Sequence, residues 1–280
     1  MLKKVVLVAC LTLVIGLMGI FTFRDRIFTI GAQENVTEEQ IFNSKDINQI
    51  DIEVDVAEVV VEESQDSDIR IFLKGNVSKR MKENIDLDVQ KNSNQLEIDL
   101  EREKRRWFSF LPFDNHGSLQ LTIQLPEKRF EQLGIESNVG EVSVNSGEFT
   151  DVIVTTDVGE VLLQDVTSET ATVTSNVGEV TVLKAVGSWD IKVDVGEVDL
   201  QLKKLENQVT VQSDVGDVSV QIAEVPTDYT LDLSSDIGEV KLTGFDYNNG
   251  SGKEIYMEKG SAEPLLEVDS DIGDITVRTP

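Results

Sequence analysis

Cysteine and histidine are almost absent from this sequence. Its 280 residues include one cysteine, Cys10, and one histidine, His116. A disulfide needs two cysteines and a structural zinc site needs several Cys or His ligands, so the sequence predicts neither. A Ser/His/Asp or Cys/His mechanism would depend on one of these two residues, and neither has an evident catalytic partner near it. We therefore predict no catalytic residues, no cofactor-binding residues and no enzymatic activity.

Basic residues are also scarce. The chain has 25 Lys and Arg against 52 Asp and Glu, a formal net charge of -27 and a pI near 4.3. Residues 138–280 alone hold 28 acidic residues and eight basic ones. A surface of this charge repels nucleic acid and attracts cations or basic protein surfaces. We therefore expect no nucleic-acid partner.

One long hydrophobic run lies near the amino terminus. Residues 5–23 contain no charged side chain and follow Lys3 and Lys4. A run of this length can span the hydrocarbon core of a bilayer, and the two lysines favour a cytoplasmic amino terminus. We therefore predict a single-pass membrane anchor at residues 1–26 and a polar linker at residues 27–46, with the rest of the chain outside the cytoplasm.

Two alternatives to a retained anchor stay open. The segment could be a cleaved signal peptide, although the apolar region of such peptides is usually only about 7 to 15 residues long. Leu7, Val8, Ala9 and Cys10 also spell a bacterial lipobox, which would lead to lipidation of Cys10. Each alternative still places the folded part of the chain outside the cytoplasm.

A β meander is predicted between residues 47 and 134. Apolar and polar residues alternate there with a period of two, which is typical of strands with one buried face. Polar turns, some with Gly or Asn, separate these segments. The predicted strands are residues 50–54, 69–73, 85–89, 96–100 and 119–125.

The strongest signal is a motif repeated between residues 135 and 280. Seven copies of Asn/Asp-Val/Ile-Gly-Glu/Asp-Val/Ile-x-Val/Leu occur there, and their glycines are 19, 19, 18, 20, 22 and 35 residues apart. A repeat of this length indicates a stack of similar structural units. The motif glycines are Gly140, Gly159, Gly178, Gly196, Gly216, Gly238 and Gly273. Residues 55–61, with Ala57 in place of glycine, look like a degenerate eighth copy inside the meander.

Each motif is predicted to form a corner between two short strands. The alternation changes phase at the glycine, so the chain must bend there for both strands to face the core. Glycine accepts a positive φ without a steric penalty, and the preceding Asn or Asp can form an Asx turn. The predicted inward sets are Val209, Val211, Ser213 and Val215 in one copy and Leu231, Leu233, Ser235 and Ile237 in the next.

These features together predict an all-β fold preceded by one transmembrane helix. The β meander of residues 47–134 continues into a single-stranded β-solenoid, or β-helix-like stack, over residues 135–280, with repeats of about 19 residues. Each coil of such a stack buries its valines against its neighbours. The longer interval before the last motif contains residues 247–253, which are rich in Gly and Asn and are expected to loop out of the stack.

Stacking would align one acidic residue of each corner into a ladder. Neighbouring carboxylates would be about 4.8 Å apart. Such a ladder either faces water, where it discourages aggregation, or binds a hard cation such as Ca²⁺. One carboxylate per coil is a sparse ligand supply, so we prefer the solvated ladder, with calcium as the alternative. The candidate metal ligands are Glu141, Glu160, Glu179, Glu197, Asp217, Glu239 and Asp274.

A second candidate site is the basic–aromatic segment, residues 102–113. Its sequence, REKRRWFSFLPF, has four basic residues followed by four aromatic ones. Such a segment could lie at an anionic membrane interface or dock onto an acidic partner. The alternative is a long hairpin whose aromatic rings cap the core. The candidate residues are Arg102, Lys104, Arg105, Arg106, Trp107, Phe108, Phe110 and Phe113.

The first motif and the residues before it resemble a known bacterial family. Residues 125–144, LPEKRFEQLGIESNVGEVSV, and the serial Asp-Val-Gly-Glu-Val units that follow are similar to the putative-adhesin β-repeat family of unknown function, in its LiaG-like branch of cell-envelope stress operon proteins. The resemblance covers residues 45–280. It implies a β-repeat ectodomain behind an anchor and a Gram-positive origin, and it implies no catalytic or ligand-binding residues. Many relatives have Ser-Gly-x-Gly-Asp where this chain has Asp-Val-Gly-Glu.

Three functions from different classes are compatible with the sequence. The one we favour is a membrane-anchored, non-catalytic scaffold or accessory binding module in the cell-envelope stress response, with envelope or membrane proteins as partners. The second is a calcium-dependent adhesin or glycan-binding protein, which the acidic ladder suggests. The third is a carbohydrate-active enzyme, since β-helix folds host such enzymes, but no copy of the motif carries an additional catalytic group.

Overall fold

The computed structural model describes residues 33–102, 118–224, 226–245, 250–261 and 263–280. The predicted membrane anchor, Cys10, His116 and most of the basic–aromatic segment lie outside these residues. Within the described ranges, no helix is both long and apolar enough to cross a membrane.

The described chain is all-β, as predicted. One helix of four residues, α1, spans Lys79–Lys82, and a 3-10 turn lies at Ser44–Asp46. The strands are β1 (Gln33–Asn43), β2 (Gln49–Val56), β3 (Glu58–Ser64), β4 (Asp68–Ser78), β5 (Ile85–Asn92), β6 (Gln95–Arg102), β7 (Leu119–Pro126), β8 (Arg129–Val139), β9 (Val142–Val158), β10 (Val161–Val177), β11 (Val180–Val195), β12 (Val198–Lys204), β13 (Val209–Val215), β14 (Val218–Glu224), β15 (Tyr229–Ile237), β16 (Val240–Thr243), β17 (Gly250–Gly252), β18 (Glu254–Lys259), β19 (Leu265–Ile272) and β20 (Ile275–Arg278).

The strands form a two-faced solenoid in which each coil contributes one strand to each face. Face A carries the strands that lead into a corner, and face B carries the strands that leave it. In spatial order, face A consists of β5, β6, β2, β8, the second halves of β9, β10 and β11, and then β13, β19, β15 and β18. Face B consists of β1, β4, β7, β3, the first halves of β9, β10 and β11, and then β12, β14, β20, β16 and β17.

One hydrophobic core runs between the two faces. Alternating residues of each strand point inward, as Val161 and Leu163 do on face B and Ala171 and Val173 on face A. Parallel pairing in register places equivalent side chains of successive coils on top of one another, so each coil buries its aliphatic residues against the next. The residues predicted as meander and as solenoid belong to the same core.

The predicted strands of the N-terminal part are all present, but their arrangement as a meander is wrong. Strands β2 and β3 do not pair with each other, because the chain turns between them at Ala57. Each instead pairs in parallel with strands of neighbouring coils, β2 with β6 and β8, and β3 with β7 and β9. The degenerate copy of the motif is therefore the first corner of the solenoid.

Both ends of the solenoid fold back on themselves. The coil at Gly273 lies between the coils at Gly216 and Gly238, because β19 pairs with both β13 and β15 and β20 with both β14 and β16. At the other end, β6 and β7 lie outside β2 and β3. Antiparallel strands then close each end, namely β5, β4 and β1 at one and β18 and β17 at the other. These caps stop the stack from adding further coils.

The expectation that residues 247–253 loop out of the stack needs a correction. Residues 250–252 form strand β17, which pairs antiparallel with β16 and closes face B. Lys253 follows it, and its backbone carbonyl accepts a hydrogen bond of 2.8 Å from the amide of Ser235. Residues 247–249 lie outside the described part of the chain.

Candidate functional site at the corner edge

The corners stack into a single edge along the solenoid, which we call the corner edge. Its eight members are, in spatial order, Ala57, Gly140, Gly159, Gly178, Gly196, Gly216, Gly273 and Gly238. The six glycines that precede Gly238 in this spatial order each donate an amide hydrogen bond of 2.9 to 3.1 Å. The acceptor is the carbonyl of the residue just before the corner glycine of the neighbouring coil. The seven motif glycines are thus brought together in one straight row.

Gly178 shows why the corner needs glycine. Its φ is +149°, and a Cβ placed on it would lie 1.8 Å from the backbone carbonyl oxygen of Gly159 in the preceding coil. A side chain is therefore excluded both by the local backbone and by the closeness of the next coil. The closeness of the next coil is the more general constraint. It also applies at Gly238, whose φ lies outside the positive region.

The residue before each corner points outward, which overturns one prediction. Val215 is 42% exposed and Ile237 is 65% exposed, although both were expected in the core. Ser213 and Ser235 occupy the end of the core instead, and their hydroxyls lie 3.4 and 2.8 Å from the carbonyl oxygens of Gly216 and Gly273. The chain bends around this small residue, so no room is left inside for the side chain that follows.

The outward residues form a continuous aliphatic ridge. Every copy of the motif has valine or isoleucine at this position, and parallel stacking brings them side by side. From Val139 onward each is at least 42% exposed, and Val56 at the first corner is half-buried. The valine ridge consists, in spatial order, of Val56, Val139, Val158, Val177, Val195, Val215, Ile272 and Ile237.

Acidic and amide side chains border the ridge on its face A side. In the first half, Asn and Asp alternate, and the amide of Asn138 donates to Asp55 at 2.8 Å, as that of Asn176 does to Asp157 at 2.9 Å. In the second half, four aspartates follow one another without an intervening amide. This Asp/Asn ladder consists, in spatial order, of Asp55, Asn138, Asp157, Asn176, Asp194, Asp214, Asp271 and Asp236.

A second row of carboxylates, the Glu/Asp ladder, borders the ridge on its face B side. It comprises the predicted candidate metal ligands together with Glu58 at the first corner. Asp217 and Asp274 have a structural role, because each accepts a hydrogen bond from the backbone amide of the next acidic residue, at 2.8 and 2.9 Å. Lys241 lies 3.1 Å from Glu239, and its hydrogen bond holds the pKa of Glu239 below its ordinary value.

The ladder does not converge on a common point. In the described part of the chain, no group of three or more His, Cys, Asp or Glu residues is arranged to hold a metal ion. The stacked carboxylates lie in a row and each belongs to a different coil, whereas calcium takes about six to eight oxygen ligands around one point. The interpretation of Glu141 and its equivalents as a solvated ladder, with calcium binding as the alternative, therefore stays a prediction.

Basic side chains gather on the other edge of the solenoid, where face B turns back to face A. Asp165 has a positive φ of 51° at this turn and pairs with Lys184 at 3.1 Å and with Lys203 at 3.7 Å. The hydrogen bond from Lys184 lowers the pKa of Asp165. Lys204 likewise pairs with Glu224 at 3.7 Å. The charges of this opposite edge are thus largely balanced, while those of the corner edge are not.

A further acidic group lies on the outside of face A near the N-terminal cap. Burial raises the pKa of Glu53, and the neighbouring carboxylates of Glu136 and Asp99 raise it further. The pKa of Asp99 is raised in the same way, first by burial and then by its acidic neighbours. These groups line a shallow depression beside Gly134. Like charges held this close destabilise the ionised state, which is a cost to the fold at neutral pH.

The basic–aromatic segment lies between β6 and β7, and residues 103–117 are outside the described chain. Arg102 ends β6 and Ser118 precedes β7, the two strands of the outermost coil. The segment therefore occupies the position in the chain where the other coils have their corner. Where its basic and aromatic side chains lie stays a prediction.

The valine ridge was missed from the sequence, although its signal is present there. All seven motif copies carry Val or Ile immediately before the glycine. The sequence predicts Val215 and Ile237 in the core because they continue the alternation of the preceding strand. A change of face at a tight corner cannot be seen in a period-two pattern.

The fold and its edge define a class, a β-solenoid capped at both ends that displays one repeated surface along its corners. The chain belongs to the Toastrack DUF4097 family, whose sequence profile matches residues 47–186 and 182–278. The resemblance to the bacterial putative-adhesin β-repeat family of unknown function is thereby confirmed.

Several crystal structures are similar to this chain at low sequence identity. A putative adhesin from Bacteroides fragilis is 15% identical, with a TM-score of 0.45, and the match covers 89% of this chain and 99% of that one. A putative adhesin from Parabacteroides distasonis is 12% identical, with a TM-score of 0.45 and coverage of 89% and 98%. A putative cell adhesion protein from Clostridium sporogenes is 15% identical, with a TM-score of 0.42 and coverage of 88% and 100%. No curated protein matches the chain.

Proposed function

We propose that this protein is a non-catalytic binding module of the bacterial cell envelope, anchored in the membrane by its N-terminal segment and exposed outside the cytoplasm. The observation that carries this proposal is the corner edge, a surface repeated over eight coils with the valine ridge between two acidic ladders. A surface of this kind suits the binding of an elongated partner, because every coil offers the same chemistry at the same spacing.

The uniformity of the coils argues against catalysis. Catalytic sites combine a few different groups at one point, with a nucleophile or a general acid and base in contact. The carboxylates of the corner edge are instead explained by the repeat, since each coil supplies an equivalent one. Elsewhere, Asp165 forms surface ion pairs with Lys184 and Lys203 at a turn.

The position of strand β1 relative to the basic–aromatic segment supports a contact with the membrane. Strand β1 begins at Gln33, which pairs with Ser78, and the amide of Asn76 donates to the carbonyl of Ser118 at 3.1 Å. The chain that arrives from the predicted anchor and the C-terminal flank of the basic–aromatic segment are therefore at the same end of the solenoid. Basic and aromatic residues favour an anionic membrane interface, so we propose that the basic–aromatic segment contacts the membrane beside the anchor.

We further propose that the protein acts as an accessory or scaffold module in the cell-envelope stress response, in the LiaG-like branch of its family. Its support is the resemblance of residues 125–144 and the serial motifs to that branch. The partners would be envelope or membrane proteins.

Crosslinking in intact cells tests this proposal. The full chain, carrying an affinity tag at its C terminus, is crosslinked, purified and compared with a full chain in which the corner edge has been altered by Val177→Thr, Val195→Thr and Val215→Thr. We expect envelope or membrane proteins to be enriched with the parent and reduced with the variant. Failure to enrich any envelope protein would contradict the proposal.

A calcium-dependent adhesin or glycan-binding protein is the second candidate. The observation that favours it is the unbroken run of Asp194, Asp214, Asp271 and Asp236, which concentrates negative charge on one part of the corner edge. Calorimetric titration with calcium separates the two candidates, because the first requires no metal ion.

A further inference from the structure

The corner edge exposes apolar surface that the strands themselves do not require. Val158, Val177 and Val195 are 46 to 48% exposed and occupy consecutive coils. Threonine has the same β-branched preference for strands and a polar surface, and the chain uses it at other outward strand positions, such as Thr172 and Thr174. Strand propensity alone therefore does not explain why every copy of the motif has an aliphatic residue here.

The ridge is long as well as exposed. Its eight residues belong to eight stacked coils, so it extends over about 34 Å at the usual strand spacing. Single exposed aliphatic residues are normal on protein surfaces, whereas a continuous apolar stripe with a polar border is typical of an interaction site. An elongated partner would be needed to cover it.

The negative charge beside the ridge indicates that the partner is positively charged. Carboxylates line both sides of the ridge, and Lys241 pairs with two of them, Glu239 and Asp274. Carboxylates are most closely spaced in the C-terminal half, where the Asp/Asn ladder has lost its amides, and Lys241 and Lys253 lie only at the far end of that half, beside Glu239, Asp274 and Asp236. There Val195 and Val215 lie between Asp194 and Asp214 on one side and Glu197 and Asp217 on the other.

We propose that the C-terminal half of the corner edge binds a cationic amphipathic helix of a partner polypeptide. Such a helix has one apolar stripe with Lys or Arg along both borders, which is the complement of a ridge between two rows of carboxylates. Its apolar side chains contact the valine ridge, and the long basic side chains reach outward to the ladders while their methylene groups cover the ridge. This inference rests on the proposed function, because it names the kind of partner that the binding module takes.

A synthetic peptide provides the test. We use a fluorescent peptide of about 22 residues, made of leucine and lysine, whose helix would be as long as the ridge. Its binding to the full chain in nanodiscs of zwitterionic lipid is followed by fluorescence anisotropy, with empty nanodiscs subtracted. A peptide of the same composition in scrambled order, which cannot form an apolar stripe, is the control for charge alone. We expect the scrambled peptide to bind at least about tenfold more weakly.

The chain itself supplies the conservative substitutions for the acidic ladder. Asparagine occupies the same corner position at Asn138 and Asn176, so it is compatible with the fold. Asp194→Asn, Asp214→Asn and Asp271→Asn together should weaken binding of the amphipathic peptide about tenfold at low salt, and the loss should shrink as salt is raised. The matched control changes three exposed aspartates elsewhere, by Asp86→Asn, Asp88→Asn and Asp232→Asn, and should change binding less than about twofold.

The ridge is tested separately from the charge. Val177→Thr, Val195→Thr and Val215→Thr keep the β-branched shape at exposed positions, and should weaken binding by about tenfold at all salt concentrations because the lost contact is apolar. Thermal unfolding of every variant is measured in parallel, so that a loss of binding is interpreted only where the fold is retained.

Four outcomes would overturn the inference. Equal losses in the corner and control aspartate variants would mean that binding follows net charge. Undiminished binding to the threonine variant would exclude the ridge. Release of the peptide by millimolar calcium at constant ionic strength would make the ladder a cation site, and self-association that the ridge variant abolishes would make a second copy of this chain the occupant. The calcium outcome would also favour the calcium-dependent candidate over the proposed function. The other three leave the proposed function intact, because it depends on the capture of envelope proteins in cells.

Discussion

The carbonyl oxygen of Gly159 lies 1.8 Å from the point where a Cβ at position 178 would be. The same overlap would arise at the other motif glycines of the corner edge, because the backbone hydrogen bonds between coils hold successive corners at strand spacing. The atom that a new Cβ would meet belongs to the backbone, so no rearrangement of side chains can relieve the overlap. The first prediction follows from this geometry.

Gly178→Val should destabilise the protein far more than Glu179→Ala. The valine needs both a positive φ and the space that Gly159 occupies, so we expect a loss of roughly 4 kcal/mol or more, whereas the neighbouring exposed glutamate should cost no more than about 0.5 kcal/mol. Denaturant unfolding of the full chain measures both. If the valine variant does not fold, Gly178→Ala supplies the comparison. Equal losses at positions 178 and 179 would contradict the corner assignment.

Asp214→Asn should stabilise the protein slightly. Asp214 lies between Asp194 and Asp271, and an amide there could donate to a neighbouring carboxylate as Asn176 does to Asp157 at 2.9 Å. We expect a rise in melting temperature of about 1–2 °C at low salt that disappears at high salt. The reciprocal change, Asn176→Asp, removes that hydrogen bond and adds a like charge, so it should lower the melting temperature. A rise with both substitutions would be incompatible with this account of the ladder.

Glu53→Gln should raise stability at neutral pH and have less effect in acid. Burial and acidic neighbours raise the pKa of Glu53 above 4.5, so the folded state holds this proton more tightly than the unfolded state. The stability associated with the protonated carboxyl is present in acid and is lost as the pH rises through the raised pKa. Removing the charge should therefore raise the melting temperature at pH 7 by about 1–3 °C, and the gain should narrow toward pH 4.5.

Asp165→Asn is the matched control for Glu53→Gln, and its expected effect on the melting temperature at pH 7 has the opposite sign. The hydrogen bond from Lys184 lowers the pKa of Asp165, so its ionised form contributes stability above the ordinary pKa of 3.8 that is lost as the pH falls through the lowered value. This substitution should reduce the melting temperature at pH 7. Shifts of the same sign for Glu53 and Asp165 would refute the electrostatic explanation.

Millimolar calcium should leave the melting temperature unchanged. The carboxylates of the Glu/Asp ladder form a row with one member per coil, and among the described residues no cluster could hold a metal ion. A ligand that binds only the folded state raises the free energy of unfolding by RT ln(1 + c/Kd), where c is the free ligand concentration, so melting with and without calcium detects binding directly. A rise that magnesium at the same concentration does not reproduce would favour the calcium-dependent adhesin.

Much of the fold could be predicted from local patterns. The alternation in residues 50–54 and 119–125 placed strands that the structure contains as parts of β2 and β7. The spacing of the motif glycines predicted a stack, because a tight corner that recurs at a fixed interval gives each coil the same length. The small residues Ser213 and Ser235 were correctly placed inside, where the chain bends around them.

The candidate site was only half predicted. The Glu/Asp ladder followed from the repeat, since stacking aligns equivalent residues. The ridge did not, because Val215 continues the alternation of β13 and its outward direction is set by the bend at Gly216. Its exposure depends on how the two faces meet, which no period in the sequence records.

By itself, the sequence determined that this chain is all-β, acidic and built from repeated coils with glycine corners, because each of these properties depends on composition or on residues close together in the chain. Only the tertiary structure decided that the last coil lies between two earlier ones, that Ala57 begins the stack, and that the valines before the corners form a ridge on the surface. These features depend on which strands pair across long distances, as β2 does with β8 and β19 with β13, and such pairings are selected by the core as a whole.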